Sequence, residues 1–286
     1  AVRMKLDANS RISLGNNDNS GGATNTIFGH SAGNPVSGAT YNTFIGYQVS
    51  DATMTDASDY NTGVGSTALS ALTSGRKNTA IGHGTLILNT EGDFNTAIGT
   101  DALGTNADTD NNTAVGQQAG YYTTGADNTY VGFSAGFGAS GADANNVGVG
   151  LNALLAVTTG TLNTVIGSGA GVSLTDSTGS TVLGYQALIT EDQADYTVAI
   201  GAFAFNKQNA GTAYSYNVGI GVNAGYYNVT GTNNTYLGAN SGSGATGQSN
   251  SNNVGVGSSA LTAITTGVNN VAIGYAAGDS MTDNGD

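Results

Sequence analysis

The sequence predicts an all-β fold, a parallel β-roll or β-solenoid of about 15 coils with a period near 17 residues. A five-residue motif of the form Asn-Thr-x-Ile-Gly occurs 15 times, and nine of the 14 spacings between its final glycines are 17 residues. A fixed short period indicates one unit stacked many times, because each unit buries its apolar face against its neighbours. The final glycines of the motif are Gly29, Gly46, Gly65, Gly82, Gly99, Gly116, Gly132, Gly150, Gly167, Gly184, Gly201, Gly221, Gly238, Gly257 and Gly274.

Each position of the motif follows its own rule. Position one is Asn in 13 copies, position two is Thr in ten and Val in five, and position four is apolar in all 15. Position three varies from Gly63 to Tyr130. Because alternate residues of a strand face opposite sides, we predict that positions two and four face the core and position three faces outward. The motif is thus a short half-buried strand that ends at a glycine bend.

The rest of each coil predicts a second wall and a loop. Ala stands three residues after the motif glycine in 12 copies, which indicates a small residue in a closely packed wall. Stacked Asn side chains of position one are expected to hydrogen-bond from coil to coil. We divide the chain into an N-terminal lead-in with a degenerate first coil (1–24), the β-roll repeat domain (25–278) and a C-terminal tail (279–286).

Composition and charge exclude several classes of partner. The formal net charge is −13, with six Lys and Arg against 19 Asp and Glu, and such a surface repels nucleic acid and anionic membranes. No apolar run approaches the roughly 18 residues of a membrane helix, so membrane insertion is not expected. The absence of cysteine excludes disulfides and thiolate metal sites. The thin core of a 17-residue coil predicts that the roll buries a further face against copies of itself.

Two family resemblances follow from these residues. The copies Asn78–Gly82 and Asn95–Gly99 resemble the head repeat of trimeric autotransporter adhesins, which implies a left-handed β-roll and a homotrimer. The Ala-Gly and Ala-Leu variants after the motif glycine, and the segment Met4–Gly15, resemble phage-type tail-fibre proteins. That second resemblance implies other fibre or particle proteins at the ends of the roll, and a C-terminal chaperone removed beyond Asp286. Together the resemblances cover residues 4–278 and imply a virion or an extracellular cell surface as the location.

The predicted function is structural and not enzymatic. We expect a trimeric fibre segment of a phage or phage-like particle that spaces, and also mediates, attachment to a host cell surface. The competing hypotheses are the head of a bacterial trimeric adhesin and a polysaccharide-degrading spike, for which Glu191-Asp192 is the closest acidic pair. No catalytic residue, cofactor or metal site is predicted. An ice-binding solenoid would need outward-facing Thr, and the motif Thr is predicted to face inward.

Aromatic residues outside the motif are the candidate contact residues. The longest coil, Gly201 to Gly221, inserts three residues, and Ala119–Tyr122 recurs as Ala224–Tyr227 within two blocks that look duplicated, residues 112–171 and 217–278. Exposed rings on a rigid scaffold suit a cell-surface glycan or protein, and they equally suit packing between subunits. The predicted receptor or interface contacts are Phe203, Phe205, Lys207, Tyr214, Tyr216, Tyr121, Tyr122, Tyr226 and Tyr227.

Overall fold

The computed structural model describes residues 5–6, 12–13, 24–33, 38–55, 57–138, 141–193, 195–211, 214–247 and 249–283. These residues form 17 short strands and no helix, in two compact units, Ala1–Thr124 and Gly125–Asp286. The strands are β1 (Lys5–Leu6), β2 (Ile12–Ser13), β3 (Thr26–Phe28), β4 (Thr43–Ile45), β5 (Thr62–Val64), β6 (Thr79–Ile81), β7 (Thr96–Ile98), β8 (Thr113–Val115), β9 (Thr129–Val131), β10 (Val147–Val149), β11 (Thr164–Ile166), β12 (Thr181–Leu183), β13 (Val198–Ile200), β14 (Val218–Ile220), β15 (Thr235–Leu237), β16 (Val254–Val256) and β17 (Val271–Ile273).

The strands β3 to β17 confirm the predicted parallel β-solenoid. Each covers motif positions two to four, and neighbours in the chain pair in parallel, from β3 to β8 in the first unit and from β9 to β17 in the second. Pairing joins equal positions, so Val165 of β11 lies between Gly148 and Val182. In the predicted lead-in, β1 and β2 pair antiparallel, and most of that segment lies outside the described residues.

The strand faces are reversed relative to the sequence prediction. Position three points inward and is buried from β4 to β17, fully so at Val165, whereas the neighbouring Ile166 of position four is 37% exposed. The cause lies at position one, whose Asn is buried because its amide bonds to backbone inside the coil. Position three shares the side of position one, so positions two and four must face outward. The motif Thr therefore faces outward as well, and the argument against an ice-binding face was wrong.

The core of each coil is filled by complementary volumes. The alanine three residues after the motif glycine is buried as predicted, for example Ala102 and Ala153. Five of the small residues at position three occur with a buried Leu in the same coil, as with Ala97 and Leu103. Where position three is Tyr130, the Leu site holds Gly136 with φ 57°, and a Cβ there would lie 2.3 Å from the Tyr130 ring. In these coils one large side chain, from one wall or the other, fills the space between the two walls.

The predicted Asn ladder is confirmed. The Asn163 backbone N–H donates to Oδ1 of Asn146 at 3.0 Å, and the Asn163 side-chain amide donates to the carbonyl of Ser177 at 2.6 Å. Its own Oδ1 accepts the backbone N–H of Ser180 at 2.9 Å, one coil further on. Ser180 replaces Asn in the motif, and its hydroxyl accepts the N–H of Thr197 at 3.2 Å. Each side chain thus satisfies buried backbone groups of the adjacent coil, which sets the register of the stack.

Candidate self-association face and aromatic pocket

The first candidate surface is the outer stripe, defined as the side chains at motif positions two and four. Position four stays partly exposed along both units although it is apolar in every copy. Large apolar side chains exposed by more than a third at this position are Phe28, Ile45, Ile81, Ile98, Ile166, Leu183, Leu237 and Ile273. Since position four repeats with every coil, its side chains form a continuous apolar row within each unit. Soluble monomers rarely expose such a face, so it is a candidate surface for burial against another molecule.

Aromatic side chains flank the outer stripe in the first unit. Tyr41 and Tyr60 stand just before the motif Asn, and their rings stack at 4.9 Å between centroids with 7° between planes. In the next coils Lys77 places its ammonium 4.6 Å from the ring centroid of Phe94. All four side chains are exposed and have positive φ near 60°. Bulky residues held in this left-handed conformation indicate that the coil geometry overrides local preference here.

The candidate contact residues of the longest coil fall into two groups. Tyr214 and Tyr216 stack with Tyr196 of the preceding coil, at 6.1 and 5.7 Å between ring centroids, and about half of each side chain is exposed. Tyr216 occupies the same position before the motif as Tyr41, so this group flanks the outer stripe. Phe203 belongs to the other group and contacts Tyr185 edge-on at 5.3 Å.

Phe205 is a correction to the predicted contact set. Its side chain is fully buried, 6.3 Å from the Tyr236 ring, and it fills the space left by Gly219 and Gly225. A Cβ added at Gly225 would lie 2.2 Å from the Phe205 ring. Phe205 therefore supports the long coil from inside and cannot contact a receptor directly.

The second candidate surface is a pocket of about 340 Å³ in the second unit, called the aromatic pocket here. Phe203, Tyr226 and Tyr227 supply its rings, with centroids 6.4 Å apart for Phe203–Tyr226 and 4.6 Å for Tyr226–Tyr227. All the lining side chains are half-buried, so the rings are supported and still accessible. The lining residues are Phe203, Asn223, Tyr226, Tyr227, Asn240 and Ser243.

Coil register explains how this pocket forms and why the sequence did not reveal all of it. Phe203, Asn223 and Asn240 each stand two residues after a motif glycine in three successive coils, and Tyr226 and Ser243 each stand five after. Residues at the same distance from the motif glycine lie side by side in successive coils. The column of residues two after the glycine and the column of residues five after it both line the pocket. Asn223, Asn240 and Ser243 were not predicted, although aligning the coils by their glycines places the two asparagines in the column of Phe203 and Ser243 in that of Tyr226.

The other predicted tyrosine pair lies in the first unit. Tyr121 and Tyr122 meet edge-on with ring centroids 4.6 Å apart, much as Tyr226 and Tyr227 do. The residue equivalent to Phe203 in the preceding coil is Asp101, and the residue equivalent to Lys207 is Thr105. The two duplicated blocks thus share the tyrosine pair and differ in its surroundings.

Glu191, one member of the acidic pair, is part of a buried polar cluster beneath the long coil. Its Oε2 accepts the backbone N–H of Ala210 at 3.0 Å, and Oε1 accepts that of Gln193 at 3.2 Å. Burial raises the pKa of the Glu191 carboxyl above its ordinary value, although these hydrogen bonds lower it in part. Glu191 is fully enclosed, so it anchors the inserted loop and is not presented to a substrate.

The raised pKa of Glu191 predicts a pH dependence of stability. The folded chain holds this proton more tightly than the unfolded chain does, so the contribution of Glu191 is greatest below its ordinary pKa and is lost as pH rises through the raised value. We expect wild type to lose stability relative to Glu191→Gln as the pH rises above the ordinary pKa of a glutamate, about 4.3, since the amide does not titrate. Denaturant titration of both proteins across this range measures the difference. A pH-independent difference would contradict the assignment.

The described residues hold no group of three or more His, Asp or Glu side chains placed to bind a metal ion. His30 is exposed and stacks on Tyr47 at 5.6 Å, and exposed His83 lies 3.7 Å from Asp101. In the same part of the chain no helix is long and apolar enough to cross a bilayer. Comparison with protein-family models, with curated proteins and with solved structures gives no match.

Proposed function

We propose that the chain is a structural segment of a trimeric fibre on a phage or phage-like particle, and that it spaces and mediates attachment to a host cell surface. The observation that carries the proposal is the outer stripe, an apolar face that runs through every described coil. Copies of the chain are the simplest occupant, because each copy brings the same repeating stripe at the same coil spacing. The number of copies, three, and the location on a phage or phage-like particle are what the family resemblance implies.

The composition of the outer stripe supports repeated contact between copies. Apart from Phe28 in the first coil, its side chains are Thr, Val, Ile and Leu, which carry no charge and have few rotamers to lose on burial. Charged residues, which make up 9% of the chain, lie mainly in the loops. Burying such a stripe against other copies would add core volume that a 17-residue coil cannot supply alone.

A bacterial adhesin head would use the same face, so location separates the two hypotheses. Gold-labelled antibodies against the chain, applied to a culture of its source, should mark particle fibres if the proposal is right. Labelling confined to the cell envelope would favour the adhesin head. A polysaccharide-degrading spike would instead shorten a host polysaccharide in solution, and we expect the purified chain to leave polymer length unchanged.

An ice-binding face is a second candidate, favoured by one observation. Thr62, Thr79, Thr96 and Thr113 face outward in four successive coils of the first unit. An ordered file of Thr could bind ice only if it stays uncovered. Freezing-point hysteresis in a protein that remains monomeric would favour this function over the fibre segment.

A further inference from the structure

We infer that the aromatic pocket is a carbohydrate-binding site for a pyranose sugar that carries a carboxylate. The inference deepens the attachment role proposed above and rests on it only for the cellular origin of the sugar. Two independent observations carry it: the pairing of rings with free polar atoms in the pocket, and the distribution of charge around it.

The lining of the aromatic pocket combines apolar faces with hydrogen-bonding groups. The Tyr226 ring lies close to the rings of both Phe203 and Tyr227. Asn223 donates through Nδ2 to Oδ1 of Asn240 at 3.0 Å, an interaction that orients both amides. Asn223 Oδ1 and Asn240 Nδ2 have no hydrogen-bond partner among the described residues, and they remain available as an acceptor and a donor. A sugar ring presents C–H groups on its faces and hydroxyls at its edge, which suits this arrangement.

The size of the pocket fits a small ligand. Its volume of about 340 Å³ lies near the lower end of the range of about 300–1,000 Å³ found for ligand pockets. One or two sugar rings therefore fit better than an extended segment of protein. The half-buried lining also lets a glycan chain enter from solvent and continue beyond the pocket.

Charge around the pocket favours an acidic sugar. The chain has a net charge of −13, yet residues 196–278 contain no Asp or Glu, and Lys207 is the single charged residue in that stretch. The Lys207 ammonium is exposed and lies 6.0 Å from the centroid of the Tyr226 ring. A carboxylate on a sugar stacked at Tyr226 would meet this cation without acidic neighbours from the same coils.

The duplicated block provides an internal comparison. Residues 119–122 repeat the Ala-Gly-Tyr-Tyr sequence of 224–227, but Asp101 and Thr105 occupy the positions of Phe203 and Lys207. The tyrosine pair is therefore common to both blocks, whereas Phe203 and the cation Lys207 are specific to the pocket. Tyr121→Ala is consequently a matched control for Tyr226→Ala.

The test is saturation-transfer NMR on the intact chain with methyl glucuronide and methyl glucoside as probes. We expect both sugars to bind wild type, with the glucuronide bound more tightly at low salt. Tyr226→Ala should weaken binding of both by about tenfold or more, and Tyr121→Ala should leave it unchanged. Lys207→Gln should weaken glucuronide binding several-fold, should not affect the glucoside, and should remove the salt dependence.

Several outcomes would overturn the inference. Absence of binding by wild type at millimolar sugar would exclude a sugar site. Equal losses of sugar affinity in Tyr226→Ala and Tyr121→Ala would show that the site is not the aromatic pocket. An unchanged glucuronide affinity in Lys207→Gln excludes the acidic ligand. Circular dichroism spectra and light-scattering masses of all variants are recorded in parallel. A trimeric wild type that binds no sugar then counts against the pocket alone, and a monomeric wild type that binds sugar counts against the fibre segment alone.

Discussion

Gly167→Ala is expected to unfold several coils of the second unit. Gly167 has φ 139°, and a Cβ at this position would lie 2.4 Å from the carbonyl oxygen of Gly184 and 2.7 Å from its carbonyl carbon. The obstructing atoms are backbone of the next coil, so they cannot move without breaking the ladder. We expect the free energy of unfolding to fall by more than about 4 kcal/mol, measured by denaturant titration followed by circular dichroism.

Gly274 is the matched control for this substitution. It has nearly the same backbone conformation, with φ 130°. The nearest atom to a Cβ added at Gly274 is the Cβ of Ala277, at 3.8 Å, because β17 is the last strand of the described stack and no further coil packs against it. Gly274→Ala should therefore cost only the backbone strain, about 1–3 kcal/mol. Similar losses for the two variants would show that conformation, and not coil stacking, explains the motif glycine.

Val165→Asn and Ile166→Asn should destabilise the protein in different ways, although the two residues are adjacent. Val165 is fully buried between Gly148 and Val182, so an amide there would lose apolar contacts and remain unpaired. Its expected cost is about 2–5 kcal/mol of unfolding free energy, whatever the protein concentration. Ile166 lies on the outer stripe, so Asn there should act mainly by weakening association.

Concentration separates the two effects in thermal melts. The melting temperature of Ile166→Asn should fall further below that of wild type as the protein is diluted, since dilution favours dissociation. The deficit of Val165→Asn should be the same at every concentration. If Ile166→Asn instead shows the larger and concentration-independent loss, position four is the core position and the assignment of faces is wrong.

The repeat alone was sufficient to predict the coils, the strands and the Asn ladder. Each depends on period and residue type, and both are visible in a copy such as Asn163–Gly167. The facing of the strand could not be derived in the same way. Alternation shows that Val165 and Ile166 face opposite sides without showing which side is inside. An apolar residue that occurs in every copy can lie either in the core or on an association face. The buried hydrogen bonds of Asn163 show that position one, and with it position three, faces the core.

The candidate contacts were predicted only in part, because they depend on neighbouring coils. In the sequence, the common feature of Phe203, Lys207, Tyr226 and Tyr227 is an aromatic or basic side chain outside the motif, and the structure places them at or beside one pocket. Phe205 carries the same signal and is buried. Whether an aromatic side chain faces inward depends on the residues that it contacts in the next coil. The type of the aromatic residue alone does not reveal those contacts.

The central claim is that the outer stripe is buried between copies of this chain, and the mass of the native protein in solution tests it most directly. Light scattering coupled to size exclusion at micromolar concentration should give about three times the chain mass of 28.2 kDa. A stable, folded species of one chain mass under those conditions would contradict the claim.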